Sequence, residues 1–313
     1  MLLRNIAILL AVASTAASAQ TIKPGAVSSH VVVISIDGLR PDAIAKYRAT
    51  TLLRLQREGA SAPARTILPS KTLPSHTSMV TGVTPAVHGI TWNSEELDEY
   101  GYVRVPTVFE LARLHGFTTA AFFSKAKLRH LQKPGTLDYT QAPRGEIWDA
   151  TRTVADVQHY LKFHRPNVLF VHIGEPDYAG HSLGWMGPLY GWAVRRADAA
   201  VARMLASAEA AFGAGNYTVI VTADHGGHGR DHGSDHPQDT AIPWIVWGRG
   251  VASGLVADTV STTDTAATML WLLGAPPPLS WSGRAVASAF SPTARLAAES
   301  AIAGAGLKAA VPR

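Results

Sequence analysis

Four histidines and three aspartates fall within fifteen consecutive residues, TADHGGHGRDHGSDH from Thr222 to His236, in a chain that holds 13 histidines in all. Imidazoles and carboxylates concentrated in this way are the donor set of a divalent cation. Asp224 and His225 come first. The glycines at 226, 227, 229 and 233 leave the backbone free to fold the later histidines back, so that His228, His232 and His236 compete as a further ligand. Two more stretches offer donors. EPDYAGHSLG sets Asp177 and His181 four residues apart, one helical turn, where both side chains reach the same ion. SIDGLRPD closes an apolar run with Asp37, a residue that alone reads as a turn or helix cap and gains weight only from the company of the others. A fourth stretch, ILPSKTLPSHTSMVTG, offers a nucleophile. Thr72 lies two residues before Pro74, at the start of an expected helix, where the positive end of the helix dipole favours an ionised hydroxyl. A threonine that merely caps the helix fits the same position. Ser70, Ser75, Thr77 and Ser78 are weaker candidates for the attacking group.

The elements that must position these residues alternate along the chain. Apolar, β-branched runs of strand length occupy residues 30–36, 118–123, 168–173, 217–221 and 242–247. Helical patterns lie between and after them at 51–58, 107–115, 148–164, 189–211 and 263–273. Continuous apolar strands alternating with amphipathic helices predict an α/β fold: a doubly wound, mostly parallel sheet with helices on both faces. In such sheets ligands bind beyond the carboxyl ends of the strands. Asp37 follows the first run, Asp177 the third and Asp224-His225 the fourth, so three separate clusters converge on one edge.

Composition narrows the setting. At 313 residues, with 47% hydrophobic and 16% charged, the chain can bury one large core. The start, MLLRNIAILLAVASTAASAQ, has one arginine, a short apolar run and an Ala17-Ser18-Ala19 cleavage signal, so residues 1–19 read as a secretory signal peptide and 20–313 as a single catalytic domain. The expected location is periplasmic or secreted, with no membrane attachment after cleavage. No cysteine is present, which excludes disulfides, thiolate ligands and a lipoprotein anchor, and leaves Asp, Glu and His to hold any metal. Loss of Arg4 with the leader lowers the formal charge from +5 to +4, and no Lys/Arg run suggests a nucleic-acid partner.

With these blocks in view, from about residue 30 to 290, the sequence resembles the nucleotide pyrophosphatase/phosphodiesterase family of the alkaline phosphatase superfamily. The resemblance rests on SIDGLRPD, PSKTLPSHTSMVTGVTPAVHGI, EPDYAGH and TADHGGHG with HGSD. It implies two divalent ions, Zn²⁺ by preference: one held by Asp37, Thr72, Asp224 and His225, the other by Asp177, His181 and His232, the last because His232-Gly233-Ser234-Asp235 matches the family's H-G-x-D stretch. It implies that Thr72 forms a covalent phosphothreonine and that Asn93 contacts a nonbridging phosphate oxygen of a small phosphorylated, nucleotide-like substrate. The chain departs from nucleotide-binding members where Leu73 replaces an aromatic beside the nucleophile, with Trp92 and Tyr178 as possible substitutes. Residues 94–147 are expected to form a substrate-selecting cap. Between residues 67 and 93 there is no arginine and only Lys71 to match a dianionic phosphate, which favours diesters. An arginine from the cap, Arg104, Arg113 or Arg129, would instead favour an alkaline phosphomonoesterase. A sulfatase would need C/S-x-P-x-R where this chain has Thr72-Leu73-Pro74-Ser75-His76, and a non-catalytic metal-binding protein would leave Thr72 and Asn93 without a purpose.

Overall fold

A computed structural model of the chain describes residues 27–145 and 149–309. The expected signal peptide at 1–19 and Trp148, the first residue of one expected helix, lie outside them. One sheet contains β1 (His30–Ile36), β2 (Ala60–Arg65), β3 (Thr119–Phe122), β4 (Tyr139–Gln141), β5 (Val168–Ile173), β6 (Tyr217–Thr222), β7 (Ala241–Gly248) and the two-residue strands β8 (Gly254–Leu255) and β9 (Val260–Ser261). The order is β4-β3-β5-β1-β6-β7-β2-β8, with β9 also on β2. Every pairing is parallel except those of β7, which runs antiparallel to both β6 and β2.

The three central strands β1, β5 and β6 are buried along their whole length, as continuous apolar runs require. Val31, Val33, Ile34 and Ile36 are each 0% exposed, and each such side chain contributes roughly 1.5–3 kcal/mol by leaving water. Helices cover both faces. Thr50–Glu58, Ala150–Leu161, Glu175–Leu183 and Pro188–Phe212 pack together on one, and Thr72–Thr81, Val108–Leu114 and Asp264–Leu273 on the other.

Register delivers the donors. Ile36 pairs with Ile173 and Ser35 with Thr222, so β1, β5 and β6 end side by side. The loops beyond β1 and β5 are clasped there by a hydrogen bond from Asp177 N–H to the Asp37 carbonyl, 3.0 Å. Gly38 permits this approach. Its φ is +70°, and a Cβ would stand 2.9 Å from the Asp177 Cα.

The expected cap at 94–147 is only partly a cap. Its middle supplies β3, paired with β5 in the main sheet, and the helix Val108–Leu114. A strand bonded to β5, and β4 beside it, belong to the sheet and not to a lid.

Candidate active site

At the edge shared by β1, β5 and β6, the structure brings Asp37, Asp177, Asp224 and His225 into one buried nest, with His232 and His181 at its mouth. The His225 ring donates Nδ1–H to the Gly226 carbonyl (2.8 Å), which leaves Nε2 as a lone pair. That lone pair faces oxygens: Asp224 Oδ2 at 3.2 Å, Asp37 Oδ1 at 3.3 Å and Asp177 Oδ1 at 3.9 Å. Those three carboxylate oxygens are buried and accept no hydrogen bond. Burial, reinforced by the neighbouring His232, pushes the His225 imidazole down to about 3, so Nε2 carries no proton of its own at neutral pH. Acceptors aimed at one another in a dry site are costly without a cation among them.

The mouth repeats the pattern. His232 donates Nδ1–H to Ser70 O (2.8 Å) and His181 donates its own to Arg230 O (2.9 Å), so two Nε2 lone pairs meet at 3.1 Å. Asp177 Oδ1 lies 3.4 Å from His181 Nε2 and 3.5 Å from His232 Nε2. Tautomers fixed by backbone carbonyls, with the opposite nitrogens converging, are how proteins present imidazoles to metal. The residues therefore fit two divalent ions, and an all-oxygen-and-nitrogen donor set suits zinc.

The remaining histidines of the loop are spent elsewhere. His228 Nδ1 bonds Asp239 Oδ1 at 2.6 Å, and His236 Nδ1 accepts from the Gln238 amide at 3.2 Å, in a separate cluster. Elemental analysis of single alanine variants should accordingly show His232→Ala losing more bound metal than His228→Ala or His236→Ala. Full occupancy in His232→Ala with loss in His236→Ala would reverse the assignment.

Thr72 opens the helix Thr72–Thr81 but is not its cap, a position held by Lys71. Its Oγ1 lies 3.3 Å from His225 Nε2. The other candidate hydroxyls are engaged away from the nest: Ser70 with Ser234 O (2.7 Å), Ser75 with Thr66 (2.9 Å), Thr77 with Leu73 O (2.7 Å) and Ser78 with His88 (3.0 Å). Asn93 accepts the Leu73 N–H on Oδ1 at 2.9 Å, which fixes the amide orientation and leaves its NH₂ as a donor. The Leu73 amide is used in that bond.

A cavity of about 440 Å³ opens over this nest, lined by Thr72, Asn93, Asp177, His181 and His232 and also by Lys125, Lys127, Glu95 and Tyr178. The two lysines were not anticipated from sequence. They follow β3 just as Asp37 follows β1, so the strand-end rule reaches them, but a lysine carries no ligand signature of its own. Lys125 is buried, its Nζ 2.7 Å from Asp37 Oδ2 and 2.5 Å from Asp177 Oδ2. Burial raises the Asp37 carboxyl, but the Lys125 ammonium and a 2.8 Å hydrogen bond from His172 Nε2 outweigh it and hold the group well below the usual range. Of the charges expected from sequence, Arg113 pairs with Asp138 and Arg129 with Glu95 (2.9 Å), while Arg104 lines a separate, smaller cavity with Trp92 and Tyr100. Lys71 lies along Gly233 and is not among the lining residues.

A family model for type I phosphodiesterase / nucleotide pyrophosphatase matches residues 31–239, more than half of the chain. The chain belongs to that family. Its nest and its Thr72 helix fall inside the matched span. Among curated proteins this family member is 25% identical over 222 residues to GPI ethanolamine phosphate transferase 1 of Aspergillus oryzae, covering 64% of this chain and 21% of the relative. It is 24% identical over 267 residues to that of Candida glabrata, covering 74% and 28%. The chain thus spans about a quarter of the length of these relatives. Among solved structures, murine ectonucleotide pyrophosphatase / phosphodiesterase 5, an inactive variant with AMP, superposes with TM-score 0.72 at 16% identity, over 84% of this chain and 100% of the other. A mutant of alkaline phosphatase PafA gives 0.68 at 13%, over 84% and 99%. A 2-O glycosaminoglycan sulfatase gives 0.69 at 16%, over 86% and 74%. The architecture is that of the alkaline phosphatase superfamily.

Buried neutral imidazoles make the metal-free family member acid-sensitive. His88 is pushed down to about 4 by burial, and His225 to about 3, both from 6.5. Below pH 6.5 the unfolded chain takes up protons that these folded rings refuse, so their contribution is whole above 6.5 and is lost as pH falls towards 3–4. Asp224 opposes this, since burial and the Asp37 charge raise its carboxyl well above the usual range. The histidines outnumber it. Calorimetry of metal-free protein should give a lower Tm at pH 5 than at pH 7.5, and equal values would show that these rings titrate normally in the fold.

Proposed function

We propose that the chain is a metal-dependent phosphoester hydrolase in which Thr72 attacks phosphorus and carries the phosphoryl group as a covalent phosphothreonine. The observation that carries this reading is the position of the Thr72 hydroxyl, which faces His225 Nε2 at 3.3 Å beside three unsatisfied carboxylate oxygens while neighbouring hydroxyls are engaged elsewhere. Asp37, Thr72, Asp224 and His225 would hold one divalent ion and Asp177, His181 and His232 a second, whose positive charge would stabilise an ionised threonine oxygen and the departing oxygen. The protein's own groups do the rest. The N-terminus of the helix Thr72–Thr81 favours negative charge on Oγ1. Thr72 gives up its hydroxyl proton to solvent, the Oγ1–P bond forms as the P–O bond to the leaving group breaks, and the departing oxygen takes a proton from water to leave as the alcohol. The Asn93 amide NH₂ donates to a nonbridging oxygen, and water then cleaves the Thr72 phosphoester.

Lys125 and Lys127 bring a second reading, a phosphomonoesterase, beside the diesterase expected from sequence and in keeping with the family. A phosphodiester bears one negative charge at the reacting phosphorus and a monoester bears two. Lys125 is committed to Asp37 and Asp177, so Lys127, which also lines the cavity, is the residue that offers the second charge a partner and favours a phosphomonoester. The leader at 1–19 supports export to the periplasm or beyond. If an alcohol replaces water as acceptor, the same first step yields a transferase, the activity in the names of the curated relatives. The test is rapid acid quench of zinc-loaded protein with p-nitrophenyl phosphate. A phosphoryl group should map to the peptide containing Thr72, and a site elsewhere, or none alongside rapid turnover, would remove the covalent mechanism.

A further inference from the structure

Against the imidazoles at the mouth lies a buried indole for which the reaction has no use. Trp185 follows the helix Glu175–Leu183, and its ring centroid lies 5.1 Å from that of His181 and 5.8 Å from that of His232, edge-on to both. Its Nε1–H donates to the Gly38 carbonyl at 2.9 Å, and its backbone N–H to the Gly229 carbonyl at 2.8 Å. Two glycines make room for it. A Cβ on Gly180 would stand 2.5 Å from the indole and one on Gly227 2.2 Å, although neither residue has the left-handed φ that calls for glycine. Gly180 lies inside a helix, where alanine is the better former, so the indole and not the backbone demands the missing side chain. The chain also accepts strain to seat the ring. Met186, the next residue, takes a φ of +64°, and its carbonyl is tied down by the Tyr47 hydroxyl and by Lys46 Nζ at 3.1 Å.

His181 and His232 need such a wall. Each ring is fixed by one hydrogen bond, from Nδ1–H to Arg230 O or to Ser70 O, and a single bond leaves a ring room to swing about it. Their Nε2 lone pairs face each other at 3.1 Å, an arrangement that pushes the rings apart until a cation lies between them. His225 stacks on His232 at 3.6 Å, and the indole closes a further side of both rings. Resting on the two-ion reading above, we infer that Trp185 is a positioning residue for the second ion, holding the His181 and His232 rings convergent so that the ion meets donors already in place. The effect is confined to that ion. The Gly38 carbonyl also accepts the Tyr190 hydroxyl at 2.9 Å, so the turn whose amide bonds Asp224 at 3.1 Å keeps an anchor without the indole.

The experiment measures zinc bound per chain across a series of chelator-buffered free zinc concentrations, by elemental analysis and without substrate, with His181→Ala identifying the step that belongs to the second ion. Trp185→Ala should weaken that step by roughly 10–100-fold and leave the first nearly unchanged. Trp185→Phe should restore part of the loss, because a ring again stands beside the imidazoles. Gly180→Ala keeps the indole but takes its space, and should weaken the second ion in the same sense even if Trp185→Ala fails to fold. Combining Gly180→Ala with Trp185→Phe should cost less than the sum of the two, since both act through one ring. Unaltered affinity for the second ion in Trp185→Ala and Gly180→Ala would overturn the inference. So would equal losses at both ions, the result expected of an indole that only supports the fold. Either outcome leaves the Thr72 mechanism standing, whereas a wild-type chain that takes up fewer than two zinc ions would overturn this inference and the two-ion reading together.

Discussion

Thr72→Ala is expected to lower kcat for p-nitrophenyl phosphate by at least about a thousandfold, with zinc content and fold retained. The reasoning is geometric. Thr72 Oγ1 is the hydroxyl in contact with the nest, at 3.3 Å from His225 Nε2, and its side chain is 1% exposed at the first residue of a ten-residue helix. On the proposed mechanism, removing Oγ1 would delete the nucleophile and one of seven proposed donors, while Asp37, Asp224 and His225 would remain to hold the first ion. Structural cost is small: the helix keeps Lys71 as cap, and loss of a methyl and a hydroxyl there amounts to about 1 kcal/mol. Thr72→Ser keeps the oxygen and should retain part of the rate with the phosphoryl group now on serine. Turnover of the alanine variant within a few-fold of wild type, at equal metal content, would mean that water attacks phosphorus directly.

The parts of this design legible in sequence share one property, that their signal is local. β1 and β5 coincide with the expected strands residue for residue, because HVVVISI and VLFVHI are unbroken apolar runs that fit only a sheet covered on both sides. β2 was missed. ASAPAR has little β-propensity and a central proline, and it is a strand because β7 offers it a partner in register, Pro63 opposite Pro243. The reversal of β7 was hidden for the same reason, since direction belongs to the connection and not to the residues. In the site, aspartates and histidines announced themselves by type. The choice among His228, His232 and His236 stayed open on residues alone and rested on resemblance, because it depends on which ring reaches the Ser70 carbonyl. His172 and His76 behind the nest, bonded to Asp37 (2.8 Å) and to the Thr72 carbonyl (2.8 Å), sit within an apolar strand and a Ser/Thr-rich helix and gave no sign of their support role.

Replacing Lys127 by alanine should lower kcat/KM for p-nitrophenyl phosphate by roughly 10–100-fold and for bis-p-nitrophenyl phosphate by much less. Lys127 lines the cavity and differs from Lys125, whose ammonium is committed to Asp37 and Asp177 at 2.7 and 2.5 Å. Burial and the neighbouring Lys125 charge lower the Lys127 ammonium from its ordinary value, so its charged form would gain from an anion beside it. A monoester dianion supplies one. In a diester the corresponding oxygen is esterified, so the contact is weaker and its loss costs less. The wild-type ratio of kcat/KM, monoester over diester, should exceed one and fall in Lys127→Ala, with Lys127→Arg restoring part of it because the charge returns with different geometry. Equal losses for both substrates would assign Lys127 a role in general electrostatics or metal loading. A wild-type ratio below one would return the chain to the diesterase reading, with Asn93 and the two ions sufficient for a singly charged phosphoryl group.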